Sequence, residues 1–348
     1  MEGIVLFGVN NLFSVLCDDG ERRLCAIKGK RIKDRTGEYN ALAAGDEVEV
    51  SPGARGDERG MITALKPRRN VFGRYNEKGR ANQSIAANVD LVVCVASPSL
   101  PPFRPRFVDR VAILSEAARV PLLIALNKCD LGIDPDTERR LALYESLGYG
   151  ILRCSARTGL NIRRLSDGLQ GRTSVFVGQS GVGKSSLLNA IEPGIGRRVG
   201  EISEKYARGR HTTTMAELIV LGEGTRIIDT PGVRRLALRG IDPSGLDAYF
   251  PELAALSPEC EFGLSCTHAD ESGCRITRAV AEGLVHADRY ESYLRVRFEL
   301  EANEEYSARE GRSAPGPKSS GIRRGDGARK LARFHGRGKS PGEDACDD

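Results

Sequence analysis

Short runs in which apolar and polar residues alternate open the chain. GIVLFGVNNLFSVLCDD, RRLCAIKG, DEVEVSP and GMITALK, between Gly3 and Leu65, have the two-residue period of half-buried strands and are separated by Gly, Asp and Asn. This pattern predicts a small all-β barrel over residues 1–66, of the OB-like kind. Residues 66–84, interrupted by Pro67, Gly73 and Gly79, read as a loop-like connection.

From Asn88 the texture changes. Continuous apolar runs (DLVVCVAS, VPLLIALN, GILRCSA, RTSVFVG, AELIVLG, TRIIDTPG) alternate with amphipathic segments such as FVDRVAILSEAA, TERRLALYESL and LNIRRLSDGL. Runs of that kind are strands covered on both faces, so a parallel α/β sheet is expected over residues 67–238. Residues 239–306 carry a Cys/His cluster followed by one long helix, HADRYESYLRVRFELEANEEY. Residues 307–348 are rich in Gly, Pro, Ser and Arg with few apolar residues, the composition of a disordered basic tail.

Composition narrows this picture only a little. The 348 residues suit a multidomain chain, and 52 Lys and Arg against 47 Asp and Glu give a mild basic excess. Glu2 stands where a secretory leader would be basic, and no apolar run would span a bilayer, so a cytoplasmic protein with no membrane partner is expected. Nine cysteines then point to burial or metal ligation, with Cys94, Cys129 and Cys154 expected in the core. Lys28, Lys30, Arg31, Lys33 and Arg35 cluster between barrel strands. They read either as an RNA-phosphate-contacting surface or as a solvated loop, and no interleaved aromatic residue favours base stacking.

Chemistry enters with GQSGVGKSS, which follows the strand TSVFV and opens a helix. Gly178, Gln179, Ser180, Gly181, Val182, Gly183, Lys184, Ser185 and Ser186 thus form a phosphate-cradling P-loop: backbone N–H groups surround the phosphates, Lys184 reaches the terminal ones and Ser185 ligates Mg2+. NKCD ends the strand VPLLIAL, and its Asp130 can accept two hydrogen bonds from guanine that adenine cannot donate; Asn127 and Lys128 complete that loop. Ser155 and Ala156, at the end of GILRC, are expected to cover the base. DTPG supplies Asp229 for a Mg2+-bound water and the Gly232 N–H for the γ-phosphate, and Thr213, preferred over Thr212 and Thr214, would complete the Mg2+ shell. GTP and GDP are the expected ligands.

The order of these loops is rotated. NKCD and CSA precede the P-loop, so the central domain is expected to be a circularly permuted P-loop GTPase whose chain runs from DTPG straight into the Cys/His region. With NKCD, CSA, GQSGVGKSS, GRHTT, DTPGVR and the Cys/His cluster together, roughly residues 1–305 resemble the RsgA family of bacterial small-ribosomal-subunit biogenesis GTPases. The resemblance implies an OB barrel, a C-terminal helical zinc-binding module, binding to the small subunit and its rRNA late in maturation, subunit-stimulated hydrolysis and subsequent release. Cys260, Cys266, His268 and Cys274 offer three thiolates and an imidazole, a donor set for one structural Zn2+ per chain, with His286 as reserve. The family usually has four residues between the first two cysteines; here there are five, which a bulged loop would absorb. Val233 stands where Ras-like GTPases carry a water-orienting Gln, so His211 is the candidate catalytic partner of Lys184, its alternatives being packing or an rRNA contact. A monomer is expected. A scaffold that binds GTP without turnover and a GTPase acting on a protein partner are the competing functions.

Overall fold

The computed structural model describes residues 1–9, 11–28, 39–53, 59–76, 81–195, 216–232, 236–238, 240–269 and 271–309. Strands β1 (Glu2–Val9), β2 (Leu12–Cys17), β3 (Arg22–Ile27), β4 (Glu47–Pro52) and β5 (Arg59–Leu65) close into a barrel in the order β1-β2-β3-β5-β4. Only the β3–β5 pair is parallel, the arrangement of an OB-like barrel. The alternation seen in the sequence is realised in β4: Val48 and Val50 point inward beside Val5, Phe13, Val15 and Ile62, while Glu47 and Glu49 face outward.

The connection read as a loop is instead a β-hairpin. Strands β6 (Val71–Asn76) and β7 (Ala81–Ala87) pair antiparallel, with a register shift between Phe72 and Gly73. That shift, with a glycine and several polar residues in the strands, hides the two-residue period. The hairpin wedges between its neighbours. Tyr39 N–H donates to Asn82 O (2.7 Å) and Asn40 Nδ2 to Ser84 O (2.7 Å) from the barrel side, while Tyr75 N–H donates to Ala237 O (3.0 Å) beyond the DTPG loop.

The central sheet runs β10-β9-β8-β11-β13-β12, comprising β8 (Leu91–Ala96), β9 (Leu122–Leu126), β10 (Gly150–Arg153), β11 (Thr173–Gly178), β12 (Glu217–Gly222) and β13 (Thr225–Asp229). All neighbours are parallel except β12 with β13. Every residue of β8 and β11 is buried, as strands covered on both faces require. Val92 and Cys94 face a core shared with α1 (Pro105–Ala118) and α2 (Pro135–Ser146), whereas Val93 and Val95 face α3 (Ile162–Leu169) and α4 (Lys184–Ile191). Pro135 stands in the first turn of α2, and Asp134 caps it by accepting from the Asp136 and Thr137 N–H groups. Cys154 is buried like Cys94, but Cys129 is only half-buried.

Beyond the sheet, α5 (Pro251–Ala254), α6 (Arg275–Ala281) and α7 (Ala287–Arg309) form a small module around Phe250, Leu253, Tyr290, Tyr293 and Val296. Helix α7 continues past the expected boundary at 306 to Arg309. Leu238 and Ile113 of α1 join the same core, so the module is docked rather than tethered. At the junction the Arg289 guanidinium, 1% exposed, pairs with Asp109 (2.6 Å) and Glu252 (2.6 Å), and Tyr144 Oη–H also donates to Asp109 (2.6 Å). Among the described residues no helix is long and apolar enough to cross a membrane.

Candidate functional site

The loops that carry the motifs leave the carboxyl ends of β9, β10, β11 and β13, where open α/β sheets bind ligands. After β11 the chain turns through Gly181 (φ +83°) and Gly183 (φ +92°), backbone conformations that only glycine adopts freely, and enters α4 at Lys184. A side chain at Gly183 would collide with the Asn127 amide, and one at Gly178 would lie 2.5 Å from Val95 O. The Lys184 ammonium is buried and donates to Gly178 O (2.9 Å), and burial lowers its pKa against the attraction of Asp229. Ser185 and Ser186 are exposed on the first turn of α4.

Asn127 joins three loops. Its Nδ2 donates to Val182 O in the P-loop (3.0 Å), its Oδ1 accepts the Ala156 N–H (3.0 Å), and its own N–H donates to Ala96 O (2.8 Å). Lys128, at φ +65°, donates from Nζ to Gly181 O (2.6 Å) and to Leu100 O. Ser155 Oγ–H donates to Asp130 Oδ1 (2.5 Å), and the Arg157 guanidinium pairs with Asp130 Oδ2 (2.9 Å). The Ser155 bond foremost, assisted by Arg157, holds the Asp130 pKa below the usual carboxylate range. The Asp130 carboxylate is therefore held in one orientation by two donors. Sequence reasoning missed Arg157, although its place directly after Ser155-Ala156 was the available signal.

Asp229 ends β13 beside the P-loop. Its Oδ1 is buried with no hydrogen-bond partner among the described residues, and burial pushes its pKa up to about 6 despite the nearby Lys184. A desolvated carboxylate oxygen beside the P-loop is an acceptor that a Mg2+-bound water would use, so the residues present fit that ion. Glu217, opposite Asp229 in the β12–β13 register, is pushed to about 7, mainly by burial; no local motif signalled it. Thr230 Oγ1–H donates to Phe176 O (2.7 Å), and Gly232 lies so near the P-loop that an added Cβ would be 3.0 Å from Ser180 Cα. Lys28 is exposed at the end of β3, whereas Lys30, Arg31, Lys33, Arg35, His211, Thr213 and Val233 lie outside the described residues, as do residues 310–348.

The structure gathers Cys260, Cys266, His268 and Cys274, all buried, with their donor atoms within 4.8 Å of one another. Cys260 Sγ and Cys274 Sγ lie 3.6 and 3.7 Å from His268 Nδ1 and 4.0 Å apart. Tetrahedral Zn2+ with Zn–S of about 2.3 Å and Zn–N of about 2.0 Å sets donor separations of roughly 3.5–3.8 Å, so the cluster fits a zinc site. The longer spacing does not remove Cys260 from it: a short 3-10 turn, Gly263–Ser265, takes up the intervening chain. His268 turns its other nitrogen toward Asp247 (3.8 Å), and Tyr290 Oη–H fixes its backbone carbonyl (2.7 Å). Burial would raise the pKa of Glu271, but the Thr267 hydroxyl and N–H and the Ala269 N–H hold it down at about 2, so this carboxylate clamps the ligand loop. His286 instead approaches Arg140 (3.4 Å) and stands outside the cluster.

Known proteins match this arrangement along most of the chain. The RsgA GTPase family profile covers residues 65–239. The chain is 38% identical over 304 residues to the small ribosomal subunit biogenesis GTPase RsgA of Chlorobaculum parvum, covering 84% of this chain and 96% of that protein. It is 35% identical to the protein of the same name from Porphyromonas gingivalis, over 85% and 96% of the two chains. The crystal structure of YjeQ from Thermotoga maritima superposes with a TM-score of 0.66 at 33% identity, over 86% of this chain and 98% of that one. YloQ, described as a circularly permuted GTPase, does so with a TM-score of 0.63 at 28% identity, over 87% and 95%. The NKCD loop, the P-loop and the DTPG loop meeting in rotated order, with a Cys3His cluster beyond them, together with these matches establish that the chain belongs to the RsgA GTPase family and is a GTP hydrolase.

Proposed function

We propose that this GTPase serves late maturation of the small ribosomal subunit, binding the subunit and its rRNA with GTP, hydrolysing GTP on stimulation by the subunit, and then dissociating. The observation that carries the guanine site is Asn127, which binds P-loop and base-covering loop at once and so fixes the distance between phosphate and base recognition. Gly178, Gln179, Ser180, Gly181, Val182, Gly183, Lys184, Ser185 and Ser186 would hold the phosphates, with Gly232 at the γ-phosphate and Asn127, Lys128, Asp130, Ser155 and Ala156 around guanine. Ser185 and Thr213 would ligate Mg2+, and Asp229 would hold one of its waters. Mg2+, when bound, neutralises charge on the phosphate oxygens. The four residues of the Cys/His cluster would hold one structural Zn2+ per chain.

The names of the relatives support the ribosomal assignment, and the barrel offers Lys28, with Lys30, Arg31 and Lys33 following in sequence, as a surface for rRNA phosphates. The basic tail would add electrostatic attraction. The working form is a cytoplasmic monomer. An apolar side chain at position 233 cannot polarise the attacking water, so His211, placed by the subunit, is the group assigned that task. Measuring phosphate release with purified small or large subunits tests this. The expected outcome is strong stimulation by small subunits and little by large ones, largely lost in His211→Ala with GTP binding retained; equal rates with and without small subunits would sink the proposal.

A further inference from the structure

The acceptors of Asp130 are both engaged by this chain's own donors. Oδ1 takes the Ser155 hydroxyl and Oδ2 takes Arg157 Nε at 2.9 Å. The two donors differ in freedom. Ser155 is fully buried, and its Oγ also accepts the Thr158 N–H (3.2 Å), so it is locked into the loop. The Arg157 side chain is 76% exposed against 11% for Asp130, and among the described residues its one anchor is the carboxylate itself. Its backbone, by contrast, is held in place, because the preceding Ala156 N–H is bound by Asn127.

The chemistry of the two competitors is the same. The edge of guanine that a carboxylate reads is a ring N–H and an exocyclic NH2 on one sp2 carbon, a cyclic guanidine. An arginine head presents the same planar donors on one sp2 carbon. Adenine has no such fragment.

We propose that Arg157 occupies the base-reading carboxylate in the nucleotide-free protein as an internal mimic of the guanine edge, and that incoming guanine must displace it. This rests on Asp130 being the base reader. The pair keeps Asp130 oriented and partnered while the site is open, and it lowers guanine affinity by the strength of the pair it breaks. An ion pair with one exposed member shifts an equilibrium by about 1.5- to 5-fold. Salt screens it, so the penalty fades as the ionic strength approaches about 1 M, where the screening length is about 3 Å.

Fluorescence titration of GDP and XDP against wild type, Arg157→Ala, Asp130→Asn and the double variant tests this over a salt series. Arg157→Ala should tighten GDP binding about 2- to 5-fold at low salt, the gain closing as salt rises. In the Asp130→Asn background, where the amide cannot form the ion pair, Arg157→Ala should leave XDP affinity unchanged. GDP binding equal to or weaker than wild type at low salt, or the same tightening without Asp130, overturns the proposal. If Asp130→Asn fails to move preference from GDP to XDP, the base-reading role itself falls; if it does move it and Arg157→Ala changes nothing, only the mimic is lost.

Discussion

The nucleotide edge and the cysteine cluster are both built to receive something, but in opposite ways. At the nucleotide edge the backbone is finished: glycine turns, the Asn127 brace and the parallel strands hold the loops, and the ligand-seeking groups are few and poised. In the C-terminal module the four donors lie inside the core itself, next to Tyr290 and Tyr293. A site resting on a large sheet can release its ligand and stay folded. A site that is the core of a small module cannot, because burying four polar donors without their ion removes the reason for the loop to close.

Stripping zinc should therefore produce the largest effect. Structural Zn2+ is worth on the order of 10 kcal/mol in small modules. Chelation, or Cys274→Ala, should abolish hydrogen-exchange protection over residues 240–300 while GDP binding persists. Retained protection in metal-free protein would erase the contrast drawn above.

Asp109→Ala probes where the two regions meet. It strands the buried Arg289 with only Glu252 to oppose it, and losing one partner of a buried pair costs about 3–5 kcal/mol. Because Asp109 sits on α1 and Arg289 on α7, chemical denaturation should show one lowered transition shared by sheet and module. Two separated transitions would make the module an independent unit.

Asp130→Asn should have the smallest structural effect of the three. A charged hydrogen bond to guanine is worth roughly 1.5–3 kcal/mol, so GTP binding should weaken about 10- to 100-fold and XTP become the better ligand, with no change in denaturation midpoint. A shifted midpoint would show that this carboxylate also supports the fold.

What was legible in the chain follows the same division. The P-loop, NKCD and DTPG are contiguous and each ends a strand, so their local pattern carries both chemistry and position. The cluster was legible as donors, and its longer first spacing was settled only by the 3-10 turn before Cys266. Contacts distant in sequence were not legible. Asp109 and Arg289 are ordinary charges until α7 docks on α1, and Glu217 acquires its desolvated setting from tertiary packing beside Asp229 and the barrel's Arg22. The β6–β7 hairpin was not legible because its register shift and its mostly half-buried residues leave no simple alternation to mark it.

The outermost strand β12 of the central sheet places Leu218 and Val220 in one apolar cluster with Leu6 and Phe7 of β1 in the barrel. The barrel thus shields the sheet's terminal strand, whose unpaired backbone would otherwise template pairing with other chains. A truncation beginning after residue 66 would keep all the guanine and phosphate loops, yet it would bare that strand and its apolar companions and so invite self-association. Keeping that edge covered would be a duty of the N-terminal barrel separate from anything it touches on a partner.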